Sequence, residues 1–511
     1  MISFFLSLII FLINGTAVLR FYQIKNYLFK RAVAHFYLPS SRKLIFNKKE
    51  YLLYLLVVGS IWFDFFSLQK INFLSQFLNF IALLLIIFIF ILRRSLIKKI
   101  FFTPKVIIIT IFSFIINTFL LYIVNNNKII TTLLSLWVSQ FIVFTIAISI
   151  FDLLVKPYLN YLGKKVKQKL TKNKNLKIIG IVGSYGKSST KEFLEQLLQE
   201  KYKVISTPPR INHEYALLKF VLKTDLENYD YLIIEFGSYY LGNVKWITQY
   251  ITPHIAFITG ITKQHLFLFG SIENIIQGEG VEILTWMKEG ILIVNQNHEY
   301  FEKLKNAIEK VKAPQIKLYL YEPYTILEQN LEKTVFKFKD EIFTTKIIFP
   351  MQIENLCGIL TYLSLIDNLK EYYEKIKTLE LPEGFLKLKI KENINIFDDS
   401  YNANPKGVFD SIKFFKNLEF DYKIIVFNGL FELGAEAEII YKELALQFLS
   451  FDKIILTSND YIEIFKEILK EKVWLIKNAE ELELFLQSLK NKKIGIWIFN
   501  RFPEKIKFIM N

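Results

Sequence analysis

The sequence predicts a chain in three parts: a multi-pass α-helical membrane domain, an α/β domain built around a phosphate loop, and a second, Rossmann-like α/β domain. Three observations predict it. The first third holds five apolar stretches of spanning length. A glycine–lysine–serine loop then joins a strand to a helix, and the last quarter alternates strands with helices again. The expected boundaries are 1–152 for the membrane domain, 153–177 for a basic cytoplasmic linker, 178–380 for the central domain and 381–511 for the C-terminal domain.

The apolar stretches lie at about 2–19, 51–68, 73–92, 106–124 and 129–151, and a helix of about 20 such residues crosses the hydrocarbon core. The net charge of +16 over 511 residues is uneven. Residues 1–178 carry 23 Lys/Arg against three acidic residues, whereas the remainder carries 41 against 45. Basicity therefore goes with hydrophobicity, and no nucleic-acid partner is expected. The segments 20–50 and 93–105 are rich in Lys and Arg, while the other two loops carry only Lys70 and Lys128. By the positive-inside bias this places the N-terminus outside, the later domains in the cytoplasm, and the chain in the inner cell membrane with the lipid bilayer as partner. The single cysteine, Cys357, excludes an intrachain disulfide and a cysteine-ligated zinc site.

From Leu176 the pattern changes. Apolar runs at 177–182, 231–236, 254–259 and 291–295 read as buried parallel strands, and 191–201 reads as a helix. Between the first strand and that helix stand Gly183, Ser184, Tyr185, Gly186, Lys187, Ser188 and Ser189. Glycines let backbone N–H groups approach a phosphate, the helix N-terminus adds its positive end, and Lys187 adds a charge. Ser188 stands where a hydroxyl meets the Mg²⁺ of a nucleotide. Glu235 closes a strand expected beside the loop strand, and His265 follows the next one; carboxyl ends of parallel strands line the ligand crevice.

Residues 331–350 alternate as a hairpin and 352–369 read as a helix. Strands are then expected at 394–399, 422–428, 453–459, 473–478 and 493–500. The polar turn from Asp398 to Pro405 directly follows the first of these and points to a ligand contact.

These residues together resemble the Mur ligases, most closely the branch that adds D-alanyl-D-alanine. The matching strings are GSYGKSST, TPPRINHE, EFG, PHIAFITGITKQHLFLFGS, DDSYNANP and FELG, spread over 178–511. The resemblance implies a Mur-ligase ATP-binding central domain and a Mur-ligase C-terminal domain. It implies ATP and Mg²⁺ as cofactors, with Lys187 and the loop amides on the β/γ-phosphates, Ser188 and Glu235 on one Mg²⁺, and His265 with Glu235 on a second. Asn212 would face the incoming substrate, and Asp399, Tyr401, Asn402 and Asn404 would approach the nucleotide. Glu279 stands where the family carries a carbamylated lysine and is expected to face the second metal. Gly384-Phe385 replaces the family's Gly-Arg, Met351-Gln352 its His-Asn, and Arg501 is what remains of its Lys-Gly-Ser-Arg. The membrane stretches stand in place of the family's UDP-binding domain.

The implied activity is ATP-dependent amide-bond formation through an acyl phosphate, in peptidoglycan or cell-envelope precursor synthesis. The partners would be a peptidoglycan-type precursor, UDP- or lipid-linked, and an amino acid or dipeptide. A non-catalytic, ATP-binding membrane scaffold, or a ligase for a non-wall acid, are the alternatives.

Overall fold

The computed structural model describes residues 107–109, 111–113, 115, 129–382, 386–399, 403–476 and 479–500. The chain divides into two compact units, 1–158 and 159–511. The second holds both α/β sheets.

A helix α1 (Ile129–Lys172) leads into the first sheet. There follow β1 (Lys177–Val182), α2 (Lys187–Leu198), β2 (Val204–Ser206), α3 (Glu214–Lys223), β3 (Tyr231–Glu235), α4 (Asn243–Thr248), β4 (Ile255–Ile258), β5 (Glu289–Val294), α5 (Phe301–Val311) and β6 (Gln315–Leu320). The strand order is β2-β3-β1-β4-β5-β6, all parallel. Alternate residues point to opposite faces. Ile178, Val182, Leu232, Ile234, Ala256 and Ile258 thus pack with α3, α4 and α5, while Ile179, Ile181, Ile233 and Phe257 pack with Phe193, Leu194 and Leu197 of α2. Both faces are covered, as a parallel sheet requires. The strand order reverses around β1, so the crevice beyond its carboxyl end is the place for a ligand.

An antiparallel sheet of β7 (Tyr324–Gln329), β8 (Thr334–Phe338) and β9 (Glu341–Thr345) precedes helix α6 (Pro350–Leu363). The expected hairpin is therefore a three-stranded sheet. The last domain consists of β10 (Lys387–Lys391), β11 (Ile394–Asp399), α7 (Pro405–Asn417), β12 (Tyr422–Phe427), α8 (Ala437–Phe448), β13 (Lys453–Leu456), α9 (Ile462–Leu469), β14 (Val473–Leu475), α10 (Ala479–Gln487) and β15 (Ile494–Phe499). Its order is β10-β11-β15-β12-β13-β14, with only β10 antiparallel. Phe349, just before α6, is a seam between the domains: its ring lies 6.2 Å from that of Phe414 and 6.0 Å from that of Trp497.

The expected multi-pass inner-membrane placement, with the N-terminus outside and the bilayer as partner, is corrected. No helix among the described residues is long and apolar enough to cross a membrane. The stretches 2–19, 51–68 and 73–92 lie outside the described residues, as does most of 106–124. The fifth, 129–151, does not end where a span would: α1, 44 residues long in all, runs on through the lysines expected in a linker. Lysine is a good helix former, so the charge run continues the helix. Its last turns dock beside the end of α3: Val166 is fully buried, and the Lys169 ammonium donates to the carbonyls of Leu222 (3.0 Å) and Thr224 (2.5 Å).

Candidate functional site

The phosphate loop is set by β1 and its two neighbours. Gly183 (φ 135°) and Gly186 (φ 79°) adopt conformations that side chains disfavour, and the space at each is filled. A Cβ on Gly183 would lie 2.3 Å from Thr259 Oγ1, and one on Gly186 2.7 Å from Asn355 Oδ1. The Ser184 N–H donates to the Gly260 carbonyl (2.8 Å), tying the loop to the end of β4. Lys187 is the first residue of α2, with Gly186 as its N-cap, and its ammonium donates to the Gly183 carbonyl.

The parallel register sets Glu235 beside Ile181, near the loop. Its carboxylate accepts from Ser188 Oγ (2.9 Å) through one oxygen and from Asn212 Nδ2 (3.3 Å) through the other. The Gly237 N–H holds the Asn212 carbonyl at 2.7 Å. Ser188, Glu235 and Asn212 thus form one continuous group.

A second group faces Ser184. Glu279 lies in a wide π-helical turn, Ile276–Gly280, and is 1% exposed; such turns often occur at functional positions. One Glu279 oxygen meets His265 Nδ1 at 2.6 Å and the other accepts from Ser184 Oγ. On the far side of the ring, His265 Nε2 lies 3.7 Å from a carboxylate oxygen of Glu432, in the C-terminal domain.

The other residues expected at the nucleotide lie as follows. The Tyr185 ring is buried against Gly260, and desolvation raises its phenol well above the ordinary value, so only its backbone serves the loop. Ser189 is 1% exposed and faces the core. Asn404 caps α7, its side-chain oxygen accepting from the Gly407 N–H at 2.9 Å. Asp399 ends β11, where desolvation, with Asp398 beside it, pushes its carboxyl up to about 8. Tyr401, Asn402, Gly384, Phe385 and Arg501 lie outside the described residues.

Sequence reasoning missed three residues. Asn355, 1% exposed, lies against Gly186, and neither end of its amide has a hydrogen-bond partner, whereas buried amides are otherwise paired. Lys191 is 2% exposed and donates to the Thr207 carbonyl (2.5 Å), anchoring the segment that carries Asn212. Glu432 belongs to the FELG string, but nothing local shows that it reaches His265. A lysine one turn into the phosphate-loop helix was the one readable signal.

Between the domains lies a cavity of about 590 Å³ lined by Lys263, Phe267, Ser271, Glu299, Tyr300 and Glu436 among others. It carries both charge signs and an apolar wall, and its size is that of a small-ligand site.

Among the described residues no three His, Cys, Asp or Glu side chains are gathered to hold a metal by themselves. The Ser188 hydroxyl and Glu235 carboxylate fit Mg²⁺, which takes one or two protein oxygens and completes its shell with phosphate and water. Both Glu279 oxygens are engaged in the same way, by His265 and Ser184.

Residues 181–358 match the model of the Mur ligase middle domain. The chain is 27% identical over 333 residues to the UDP-N-acetylmuramoyl-tripeptide–D-alanyl-D-alanine ligase of Rickettsia prowazekii, covering 62% of this chain and 73% of that one. It is 26% identical over 370 residues to the ligase of the same name from Borreliella burgdorferi, covering 67% and 75%. Among solved structures it is similar to MurF from Acinetobacter baumannii (TM-score 0.61, 18% identity, 69% of this chain and 79% of that one). It is also similar to MurF ligase from Thermotoga maritima in complex with ADP (TM-score 0.58, 22% identity, 67% and 80%).

Proposed function

We propose that this ATP-dependent amide-bond ligase, whose residues 181–358 match the Mur ligase middle domain, joins D-alanyl-D-alanine, or a similar amino acid or dipeptide, to the free carboxylate of a UDP-linked muramoyl peptide. The substrates are those named for its relatives. The observation that carries the reading is a phosphate loop held by two buried carboxylates, Glu235 through Ser188 and Glu279 through Ser184.

The chain's own groups account for positioning and charge. The loop N–H groups and Lys187 receive the β- and γ-phosphates at the positive end of α2. Ser188 and Glu235 are the residues that would hold Mg²⁺, which supplies charge neutralisation on the phosphate oxygens. Asn212, fixed through Gly237 and Lys191, stands beside Glu235 to orient the acceptor carboxylate. That carboxylate attacks the γ-phosphorus, ADP leaves, and the amine displaces phosphate from the acyl phosphate. Orientation of this kind supplies several kcal/mol of the barrier. The cavity between the domains has room for the amine, and His265 with Glu279 holds the loop through Ser184.

The test is release of ADP and phosphate by the full chain with UDP-muramoyl-tripeptide, D-alanyl-D-alanine and Mg-ATP, with the amide product identified by mass. Lys187→Ala is expected to lower turnover about a hundredfold or more. Absence of amide product from the parent protein with this and related amines sinks the proposal.

A further inference from the structure

Four side chains lie in a row across the domain boundary: Ser184 of the phosphate loop, Glu279 and His265 are joined by hydrogen bonds, and the carboxylate of Glu432 lies 3.7 Å beyond the ring. The first three belong to the central domain. The last comes from the loop after β12, and that loop is seated on the His265 segment by backbone as well as side chains. The Glu432 carbonyl accepts from the Phe267 N–H at 3.0 Å, and Lys263 meets Glu436 at 3.2 Å. Glu432 adopts a left-handed conformation (φ 66°) and is 8% exposed. A glutamate in that conformation costs about 1 kcal/mol or more and persists where its surroundings hold it.

We propose that Glu432 is a positioning residue through which the C-terminal domain sets the His265–Glu279 pair, so that the phosphate loop is organised for transfer only when the two domains meet. The geometry carries this. Glu279 has one oxygen on His265 and one on Ser184, so a turn of the imidazole ring moves the loop serine as well. Glu279 alone fixes one ring nitrogen. The carboxylate of Glu432 lies 3.7 Å from the opposite nitrogen and sets a negative charge on that side of the ring, while its own carbonyl holds the Phe267 N–H two residues on from His265. Domain closure thereby becomes a condition for chemistry rather than only a way to exclude water. The inference rests on the ligase reading for its turnover measurement and on geometry alone for its second measurement.

The experiment uses the full chain with Glu432→Gln, which keeps size, and Glu432→Ala. Dyes on Lys310→Cys and Gln447→Cys, exposed positions of the two domains, report their separation. Buried Cys357 leaves the introduced thiols as the reactive ones among the described residues. Mg-ATP alone is expected to shorten the separation in the parent and to leave it unchanged in both variants. With substrates, kcat is expected to fall about tenfold or more, with KM for ATP within about twofold. If Glu432→Ala does not fold, Glu432→Gln carries the test. Parent-like closure and kcat in Glu432→Gln overturn the inference, as does a lowered melting temperature with closure and kcat intact, which marks a merely structural residue. Loss of amide product in the parent would count against the ligase reading, while the separation under Mg-ATP still decides the role of Glu432.

Discussion

Burial of Glu354 behind Asn295 pushes its carboxyl up to about 7 from an ordinary 4.5. Below pH 4.5 both folded and unfolded chains hold this proton. Between 4.5 and 7 the unfolded chain releases it and the folded one keeps it, so stability falls as pH rises, by on the order of 3 kcal/mol in all. Glu354→Gln keeps an oxygen for the Asn295 amide and removes the ionisation. It is expected to flatten the fall in melting temperature between pH 5 and 8 and to melt higher than the parent at pH 8. Residues of this kind also mark how far the sequence could be read. Gly183, Gly186 and Lys187 are legible because the conformation each requires is local. The place of the Tyr185 ring is not, since nothing in the loop string says that it meets Gly260. Asn355 lies far from the loop in sequence, and only folding brings its amide against Gly186.

Helix α7 shows what an element requires at its start. Pro405 sits at the first helical position, where it has no N–H to lose, and Asn404 accepts the Gly407 N–H. Asn404→Ala is expected to cost about 1 kcal/mol, read as a lower denaturant midpoint and faster hydrogen exchange at Gly407. The DDSYNANP string suggested a ligand contact at this asparagine, and a polar residue after a strand serves a helix cap equally well in sequence. Helix α1 carries the same lesson at greater length. An apolar run followed by a lysine run reads as a span and a linker, yet both compositions suit a helix, and the choice depends on what the later turns pack against. Strands were the most legible elements: the Ile- and Val-rich runs of both sheets stand out because a strand covered on both faces has no polar period.

At the scale of the whole molecule, the two α/β domains meet through an apolar seam and a polar one. Phe349 puts its ring among Phe414 and Trp497 of the C-terminal domain. The 431–436 loop meets the His265 segment by hydrogen bond and ion pair. Phe349→Ala is expected to destabilise the C-terminal domain by about 3–5 kcal/mol and to separate one melting transition into two, seen by calorimetry. The order of the domains along the chain was legible from the two sets of strands. The contact between them was not, because Glu432 and His265 are brought together by tertiary packing alone.

The antiparallel strand β10 ends the C-terminal sheet and carries Lys387, Lys389 and Lys391 at every second position. Among the described residues no strand pairs with its outer edge, and three like charges in a row make a second copy an unfavourable neighbour. The sheet is thereby protected against growing from molecule to molecule, a safeguard against aggregation.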